Sequence, residues 1–150
     1  MITEISWQEI LPIWQNKLWP DRASPIETNS AMKILSGHDM YNMSTTATFF
    51  GYVVDNQIVG VNSGHGCSDN TYRSRGLWVD PDYRNRGVGT KLLVATYEQG
   101  LAEGYSTTWS YPRLTSWPTY SRAGFELVSD WSASETSDSN AYAIIKTDPT

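Results

Sequence analysis

Hydrophobic and polar positions in the first third of the chain predict one strand followed by two helices. Residues 2–5 are rich in β-branched side chains and predict a short strand. Ser6 and Glu9 then match a capping box, and apolar residues at helical spacing predict a helix over 6–18. Residues 24–35 predict a second helix, because a serine, a proline and a glutamate occupy the N-cap, first and third helical positions.

Strand patterns dominate the rest of the chain. Strands are predicted at Thr48–Val54, Gln57–Ser63, Tyr72–Val79, Tyr105–Ser110, Phe125–Val128 and Ala141–Lys146, and helices from about Gly87 to Glu103 and at Ser116–Ala123. The Ser-rich segment 132–140 predicts a surface loop. The element order β-α-α-β-β-β-α-β-α-β-β predicts an α+β fold: a mixed, mostly antiparallel sheet flanked by helices, with one parallel crossover through the long helix.

Length and composition limit the class of protein. The 150 residues suit a single domain over 1–150, and 39% hydrophobic residues with seven Trp and nine Tyr exclude a disordered chain. The single cysteine, Cys67, excludes an intramolecular disulfide. No apolar run approaches the ~20 residues of a membrane span, and no basic segment followed by an apolar core marks a leader. We therefore expect a cytoplasmic protein that binds no membrane.

Charge is distributed unevenly along the chain. The formal net charge of −5 argues against a general nucleic-acid binder, so we expect no nucleic-acid partner. The segment 73–91, however, contains five basic residues and two acidic ones. The remainder of the chain therefore carries a more negative net charge than the whole chain does. A basic segment in an acidic chain predicts a local site for an anion.

The turn before the long helix is the candidate for that anion site. It consists of Arg84, Asn85, Arg86, Gly87, Val88, Gly89 and Thr90. A helix start presents unpaired backbone N–H groups, glycines let an anion approach the backbone, and arginine donors match phosphate oxygens. We therefore expect a pyrophosphate here. The spacing fits neither a P-loop nor a dinucleotide fingerprint.

The spacing Arg84-x-x-Gly87-x-Gly89 resembles the Q/R-x-x-G-x-G/A pyrophosphate motif of the GNAT family of acetyl-CoA-dependent N-acetyltransferases. The strand before the motif, the Asp80-Pro81 pair and the amphipathic helix after it also fit this family, as does the order of elements along nearly the whole chain. The resemblance implies that an acetyl group passes directly from acetyl-CoA to a primary amine within a ternary complex.

The resemblance also implies how the cosubstrate lies on the sheet. Strands 72–79 and 105–110 are expected to diverge, so that the pantetheine arm lies between them on the backbone from Leu77 to Val79. The pyrophosphate would lie over residues 84–90, and a backbone N–H near Val79 would polarise the thioester carbonyl.

Tyr120, with Gly124 and Phe125 four and five residues later, resembles the second cofactor motif of the family, Y-x-x-x-G-F. The resemblance implies that Tyr120 is the general acid that protonates the departing thiolate. An unperturbed tyrosine has a pKa of about 10 and is protonated at neutral pH. Members of the family often have an asparagine before this tyrosine that contacts the pantetheine arm. This sequence has Arg113 at that position and so departs from the family pattern. Tyr120 could equally be a packing residue.

The base that removes a proton from the amine is left open among Glu27, His65 and Asp80. Glu27 is equally explained as the partner in a helix cap, and Asp80 as a turn former before a proline. Glu27 and His65 are preferred, because the family's acceptor cleft is flanked by the second helix and the central strands. His65 and Cys67 are too few ligands for a metal, so no metal is expected.

Two other functions remain open at this point. One is a non-catalytic acyl-CoA-binding or partner-binding module, and the other is a nucleotide-binding domain that uses the same turn. For an enzyme, the partner would be a small-molecule or peptide amine, and the acidic remainder of the chain favours a cationic acceptor. Arg73 and Arg75 lie on one face of a strand, where they either reach the phosphates or are solvated. We expect a monomer or homodimer.

Overall fold

A single seven-stranded sheet forms the centre of the computed structural model, which describes residues 1–132 and 139–146. Its strands are β1 (Ile2–Ile5), β2 (Thr48–Val54), β3 (Gln57–Gly66), β4 (Thr71–Val79), β5 (Thr107–Ser110), β6 (Glu126–Leu127) and β7 (Ala143–Lys146). Their order is β1-β2-β3-β4-β5-β7-β6, and every neighbouring pair is antiparallel except β4 and β5. The predicted fold class is confirmed. Most of the predicted loop at 132–140 lies outside the described residues.

Helices cover both faces of the sheet. They are α1 (Trp7–Ile13), which continues as a π-helical turn (Trp14–Leu18), α2 (Val88–Ala102) and α3 (Trp117–Ala123), with 3₁₀ turns at Met40–Ser44, Pro81–Tyr83 and Leu114–Ser116. The capping box that begins α1 is formed as predicted: the Glu9 N–H donates to Ser6 Oγ at 3.1 Å, and the Ser6 N–H donates to Glu9 Oε1 at 2.9 Å.

Two hydrophobic clusters fill the space between the helices and the sheet. On one face, Ile10 and Trp14 of the first helical segment pack against Phe49, Val61 and Trp78 of the strands. A second cluster joins Leu93 of α2 with Tyr120, Ala123, Phe125 and Ala143. Tyr120 is therefore a core residue as well as a candidate for catalysis.

The predicted helix over 24–35 is absent, and that prediction is wrong. The Ser24 hydroxyl accepts from Arg22 Nε at 3.0 Å instead of capping a helix. Asn29 donates through Nδ2 to the carbonyl oxygens of Asn42 at 2.6 Å and Thr45 at 2.9 Å. Polar side chains of this kind compete with helical hydrogen bonding, and here their partners lie more than ten residues away. Residues 19–45, which contain no α-helix or strand and one 3₁₀ turn, therefore form an irregular wall.

A bulge in β4 reshapes the centre of the sheet. Between the pairs Val61–Trp78 and Ser63–Arg75, β4 contains one residue more than β3. Gly76 lies at this point with φ of +82°, and its carbonyl accepts from the indole N–H of Trp14 at 2.9 Å. Bulges of this kind bend a strand and redirect its side chains, and they are frequent beside active sites.

β4 and β5 pair over only part of their length. Cα partners run from Thr71–Thr107 to Arg73–Trp109, and the rest of β4 has no partner in β5. The Ser110 hydroxyl makes a further link to the Ser74 carbonyl at 2.9 Å. The expected divergence of the two strands is confirmed, and it opens the sheet at the β4 bulge.

Candidate active site

A cavity of about 670 Å³ opens where β4 and β5 diverge. Its walls come from five parts of the fold: segment 18–43, the middle of β4, the end of β5 with the chain that follows it, Tyr120 of α3, and Asn140 before β7. The size suits a small molecule, since ligand sites usually have volumes of about 300–1,000 Å³. The divergence of the strands therefore creates a substrate-sized cleft, and the irregular segment closes its outer side.

Hydrogen bonds hold the irregular wall together and connect it to β3. The Thr45 hydroxyl donates to the Gly66 carbonyl at 3.0 Å, and Asn42 Nδ2 donates to the Met32 carbonyl at 2.9 Å. The Ser30 N–H donates to Nε2 of His65 at 3.2 Å. These contacts place Met32 and its neighbours against the cavity.

His65 belongs to this anchoring network and does not line the cavity. The side chain is fully buried, and burial lowers its pKa to about 3, so the imidazole is neutral near pH 7. Since Nε2 accepts from Ser30, Nδ1 carries the proton and interacts with the Gly66 carbonyl at 3.2 Å. Both ring nitrogens are occupied, so neither is available to take a proton from an amine.

The two carboxylates considered as bases differ in position. Glu27 lines the cavity from the irregular wall, where its side chain is exposed and its backbone carbonyl accepts from Arg75 Nη1 at 2.9 Å. Asp80 does not line the cavity, and its Oδ1 accepts from the Asp82 N–H at 2.9 Å to cap a 3₁₀ turn. Glu27 therefore remains a candidate base, whereas Asp80 has the geometry of a turn former.

Tyr120 lies at the boundary between the cavity and the second hydrophobic cluster. It is 5% exposed and makes an edge-to-face contact with Phe125 at 5.4 Å. Burial raises the pKa of its hydroxyl, while the nearby Ser110 side chain and the guanidinium of Arg73 act in the opposite direction. The hydroxyl is therefore protonated at neutral pH and can act as an acid in the cavity.

The turn over 84–90 lies at the start of α2, as the sequence predicts. Arg84, Asn85, Arg86 and Gly87 are exposed, and Thr90 is half-buried. Asn85 and Gly87 have positive φ angles, +62° and +79°. Arg84 Nε donates back to the Val79 carbonyl at 3.0 Å, and the Arg86 guanidinium lies 5.4 Å from the Tyr83 ring. This geometry leaves the helix start open to solvent.

Glycine is favoured at positions 87 and 89 of the turn for two different structural reasons. A Cβ at Gly87 would meet no atom within 4 Å, so its positive φ is what favours glycine there. Gly89 is buried, and a Cβ there would lie 2.8 Å from the Thr119 side chain of α3. Gly89 therefore allows α2 and α3 to approach closely.

The backbone expected to hold the pantetheine arm borders this region. Leu77 lines the cavity, and its side chain packs against the second hydrophobic cluster. The Val79 carbonyl is already occupied by Arg84. Val88, the first residue of α2, is buried in the core.

Arg73 and Arg75 lie in the wall of the cavity. Both are buried and both line the cavity, so the interpretation that they are solvated is wrong. Their alternation in β4 places them on one face, as the sequence indicates. The signal that sequence analysis lacked was the irregular wall, which contributes Arg22 and Trp19 to the same cavity and covers the two guanidinium groups.

Other candidate chemistry finds little support in the described residues. They contain no group of three or more His, Cys, Asp or Glu side chains suited to a metal ion. Burial raises the pKa of the Cys67 thiol, which disfavours the thiolate that an acyl carrier would need. Within the same residues, no helix is long and apolar enough to cross a membrane.

Comparison with known proteins identifies the class to which this fold and cleft belong. Residues 7–125 match the acetyltransferase (GNAT) family, and the chain belongs to that family. No functionally curated protein matches the chain in sequence.

Solved structures of the same fold are similar over two thirds to nearly all of the chain. An IAA acetyltransferase from Bacillus cereus has a TM-score of 0.68 at 13% identity, with 98% of this chain and 99% of that chain covered. An acetyltransferase of the GNAT family from Staphylococcus aureus has a TM-score of 0.66 at 18% identity, with 97% and 98% covered. The PaiA N-acetyltransferase from Thermoplasma acidophilum, solved in complex with coenzyme A, has a TM-score of 0.55 at 18% identity, with 67% and 61% covered. These likenesses confirm the fold.

Proposed function

We propose that the protein is an acetyl-CoA-dependent N-acetyltransferase that transfers an acetyl group to a primary amine by direct attack in a ternary complex. The observation that carries the proposal is the position of Tyr120 on the wall of a cavity that opens where β4 and β5 diverge. The family match over residues 7–125 supports acyl transfer, and the coenzyme A complex of the Thermoplasma N-acetyltransferase supports the donor.

Coenzyme A is bound in this proposal by the turn over 84–90 and by β4. The backbone N–H groups at the start of α2, with Arg84 and Arg86, hold the pyrophosphate. The backbone around Leu77 and Val79 binds the pantetheine arm, and an N–H near Val79 polarises the thioester carbonyl. Acetyl-CoA supplies the acetyl group in activated form.

The residues of the cavity move two protons in the reaction. Glu27, directly or through a water molecule, accepts the proton that the amine must lose before or during attack. The amine nitrogen forms the new C–N bond as the C–S bond breaks, and Tyr120 donates its hydroxyl proton to the departing sulfur. Solvent then returns a proton to Tyr120, so no covalent enzyme intermediate is needed.

The Tyr120→Phe variant tests the acid role. We expect kcat for thiol release from acetyl-CoA to fall by about 10²-fold or more, because the proton donor is lost. The dissociation constant of coenzyme A, measured by calorimetry, should change by less than about twofold, since a hydroxyl is lost and no phosphate contact changes. Tyr97→Phe, on the α2 surface outside the cavity, is the matched control.

Two outcomes would count against the proposal. An unchanged rate in the Tyr120→Phe variant would remove this residue from the acid role. If the wild-type protein binds coenzyme A but releases no thiol above background with any amine of a broad panel, a non-catalytic acyl-CoA-binding module is the better description. Arg113, at the position where the family often has an asparagine, is the feature that favours that alternative.

A further inference from the structure

The cavity is strongly cationic, although the chain as a whole is acidic. Among its lining residues that the structure describes, four are arginines, Arg22, Arg73, Arg75 and Arg113, and one, Glu27, is a carboxylate. This distribution is opposite to the one expected for a cationic acceptor, because a polyamine or another dication would face several positive charges.

Two of the four guanidinium groups are buried. Arg73 is 7% exposed and Arg75 is 5% exposed. Arg73 lies 4.4 Å from the centre of the Trp109 ring, and Arg75 lies 5.0 Å and 5.2 Å from the rings of Trp14 and Trp19. The aromatic rings therefore stabilise both guanidinium cations, whose N–H groups make the polar contacts.

Most N–H donors of Arg73 and Arg75 make no hydrogen bond with the described residues. A guanidinium has five of them. Arg75 uses one, from Nη1 to the Glu27 carbonyl at 2.9 Å. Arg73 donates from Nε to the Ser74 carbonyl at 2.9 Å and makes a weak contact from Nη1 to Met32 Sδ at 3.8 Å. Neither group is ion-paired with a carboxylate in residues 1–132 or 139–146, and both line the cavity.

Both groups nevertheless keep their charge at neutral pH. Burial lowers the pKa of Arg73 to about 10 and that of Arg75 to about 9, and both values lie above 7. A buried cation is costly unless another charge compensates it. The Glu27 carboxylate acts on Arg75, but its side chain is exposed and makes no ion pair with that guanidinium. Two buried cations beside a cavity are therefore explained most simply by an anionic ligand.

We propose that the acceptor is a small amine that also carries an oxyanionic group, a carboxylate or a phosphate, which Arg73 and Arg75 bind with their free N–H edges. This inference rests on the proposed function, since it names the acceptor for the same cavity. Paired N–H donors match the two oxygens of such a group.

The proposed oxyanion site lies beside the candidate acid. Arg73, Arg75 and Tyr120 all line the cavity. An acceptor held by its oxyanionic group therefore has a fixed position next to Tyr120.

Thiol release from acetyl-CoA with matched acceptors tests this inference. Each proteinogenic amino acid is compared with its carboxamide, and 2-aminoethylphosphonate is compared with putrescine. A further comparison, of β-alanine with 2-aminoethylphosphonate, distinguishes a preference for a carboxylate from a preference for a phosphonate. At least one oxyanionic member should have a kcat/KM about tenfold or more above that of its counterpart. If carboxamides or putrescine react as well as or better than every oxyanionic member, the inference is overturned.

Variants of Arg73 and Arg75 test whether these residues cause the preference for oxyanionic acceptors. Arg75→Gln and Arg73→Gln should each raise the KM for the preferred oxyanionic acceptor about tenfold or more, with little change in the KM for acetyl-CoA. Arg75→Lys retains the charge and should keep part of the preference. Arg122→Gln, on the exposed end of α3 away from the cavity, is the matched control. A preference retained in both Gln variants, each checked for folding by circular dichroism, contradicts the assignment.

A binding experiment separates this inference from the proposed function. In the presence of coenzyme A, the thermal shift is measured with N-acetyl amino acids and with their carboxamides. An acid that raises Tm more than its carboxamide, with the difference lost in Arg75→Gln, supports the oxyanion site even if no amine is acetylated. If every acid and its carboxamide give equal shifts, or none, the oxyanion site is rejected whatever the acetylation assay shows.

Discussion

Gly76, which has no side chain, governs much of the geometry of the cleft. Its φ of +82° is rarely adopted by residues with a Cβ, and its carbonyl oxygen holds the indole of Trp14 at 2.9 Å. The bulge at this position turns β4 away from β5, so that Arg75 and Leu77 both reach the cavity. A single backbone conformation thus links the aromatic core to the site.

At the residue scale, we expect Gly76→Ala to lower the free energy of unfolding by about 3 kcal/mol, from backbone strain and from overpacking. A Cβ there would lie 2.4 Å from the Trp14 ring. Urea denaturation measures the loss. Gly104→Ala is the control, because Gly104 also has a positive φ, +99°, but a Cβ there would meet no atom within 4 Å. Equal losses in the two variants would mean that the ring contact does not matter.

Among the elements, the irregular wall depends on β3 for its position. His65 of β3 receives the Ser30 N–H, and Gly66 receives the Thr45 hydroxyl. Protonation of His65 at Nε2 would remove the acceptor for Ser30 and place a charge near Arg73 and Arg75. We therefore expect the wall, and with it the side of the cavity that it forms, to be sensitive to acid.

The pH dependence of stability tests this coupling. The unfolded chain binds a proton at His65 near pH 6.5, whereas the folded protein binds it only near pH 3. Acid therefore favours unfolding across this interval, and from pH 6.5 to pH 5 the residue should remove about 2 kcal/mol of stability. His65→Gln, which keeps an acceptor but does not titrate, should be less stable at neutral pH and should lose less between pH 7 and pH 5.

Urea midpoints at the two pH values provide the measurement. His38→Gln is the control, because His38 is exposed. If His65→Gln has the same acid dependence as the wild-type protein, then His65 is not the group that carries it.

For the whole molecule, average charge is a poor guide to binding. The chain has a formal net charge of −5, yet its cavity is lined by four arginines and the turn over 84–90 adds two more. Two cationic regions, one for each proposed substrate, thus lie within an acidic protein. The acidic remainder of the chain suggested a cationic acceptor, but among residues 1–132 and 139–146 Glu27 is the one carboxylate that lines the cavity.

Ligand-induced stabilisation separates the proposed donor from a nucleotide. Coenzyme A at about 100 times its dissociation constant should stabilise the folded protein by about 2.7 kcal/mol and raise Tm, because it binds the folded state alone. ATP also carries phosphates, but it has no pantetheine arm to lie between β4 and β5. Its effect on Tm should therefore be much smaller. Arg86→Gln should reduce the coenzyme A shift, and Arg122→Gln should not. A shift with ATP and none with coenzyme A would indicate a nucleotide-binding domain.

The sequence by itself determined the features that depend on local interactions. The strands, the long helix α2, the capping box of Ser6 and Glu9, and the turn over 84–90 at a helix start follow from periodicity, caps and glycine positions within a few residues. The placement of Tyr120 on a short helix after β5 is of the same kind. The helices and turns were predictable because their hydrogen bonds and caps are encoded within a few residues. The strands were predictable from their local sequence pattern, although their hydrogen-bond partners are distant in the chain.

Tertiary structure alone decided the features whose partners are distant in the sequence. Residues 24–35 do not form the predicted helix, because Asn29 and Ser30 bond to groups 13 to 35 residues away. Arg73 and Arg75 become buried only when that segment and the tryptophans fold over them. The cationic character of the cavity arises from this assembly, because burial and electrostatic fields depend on which residues meet in space and not on their order along the chain.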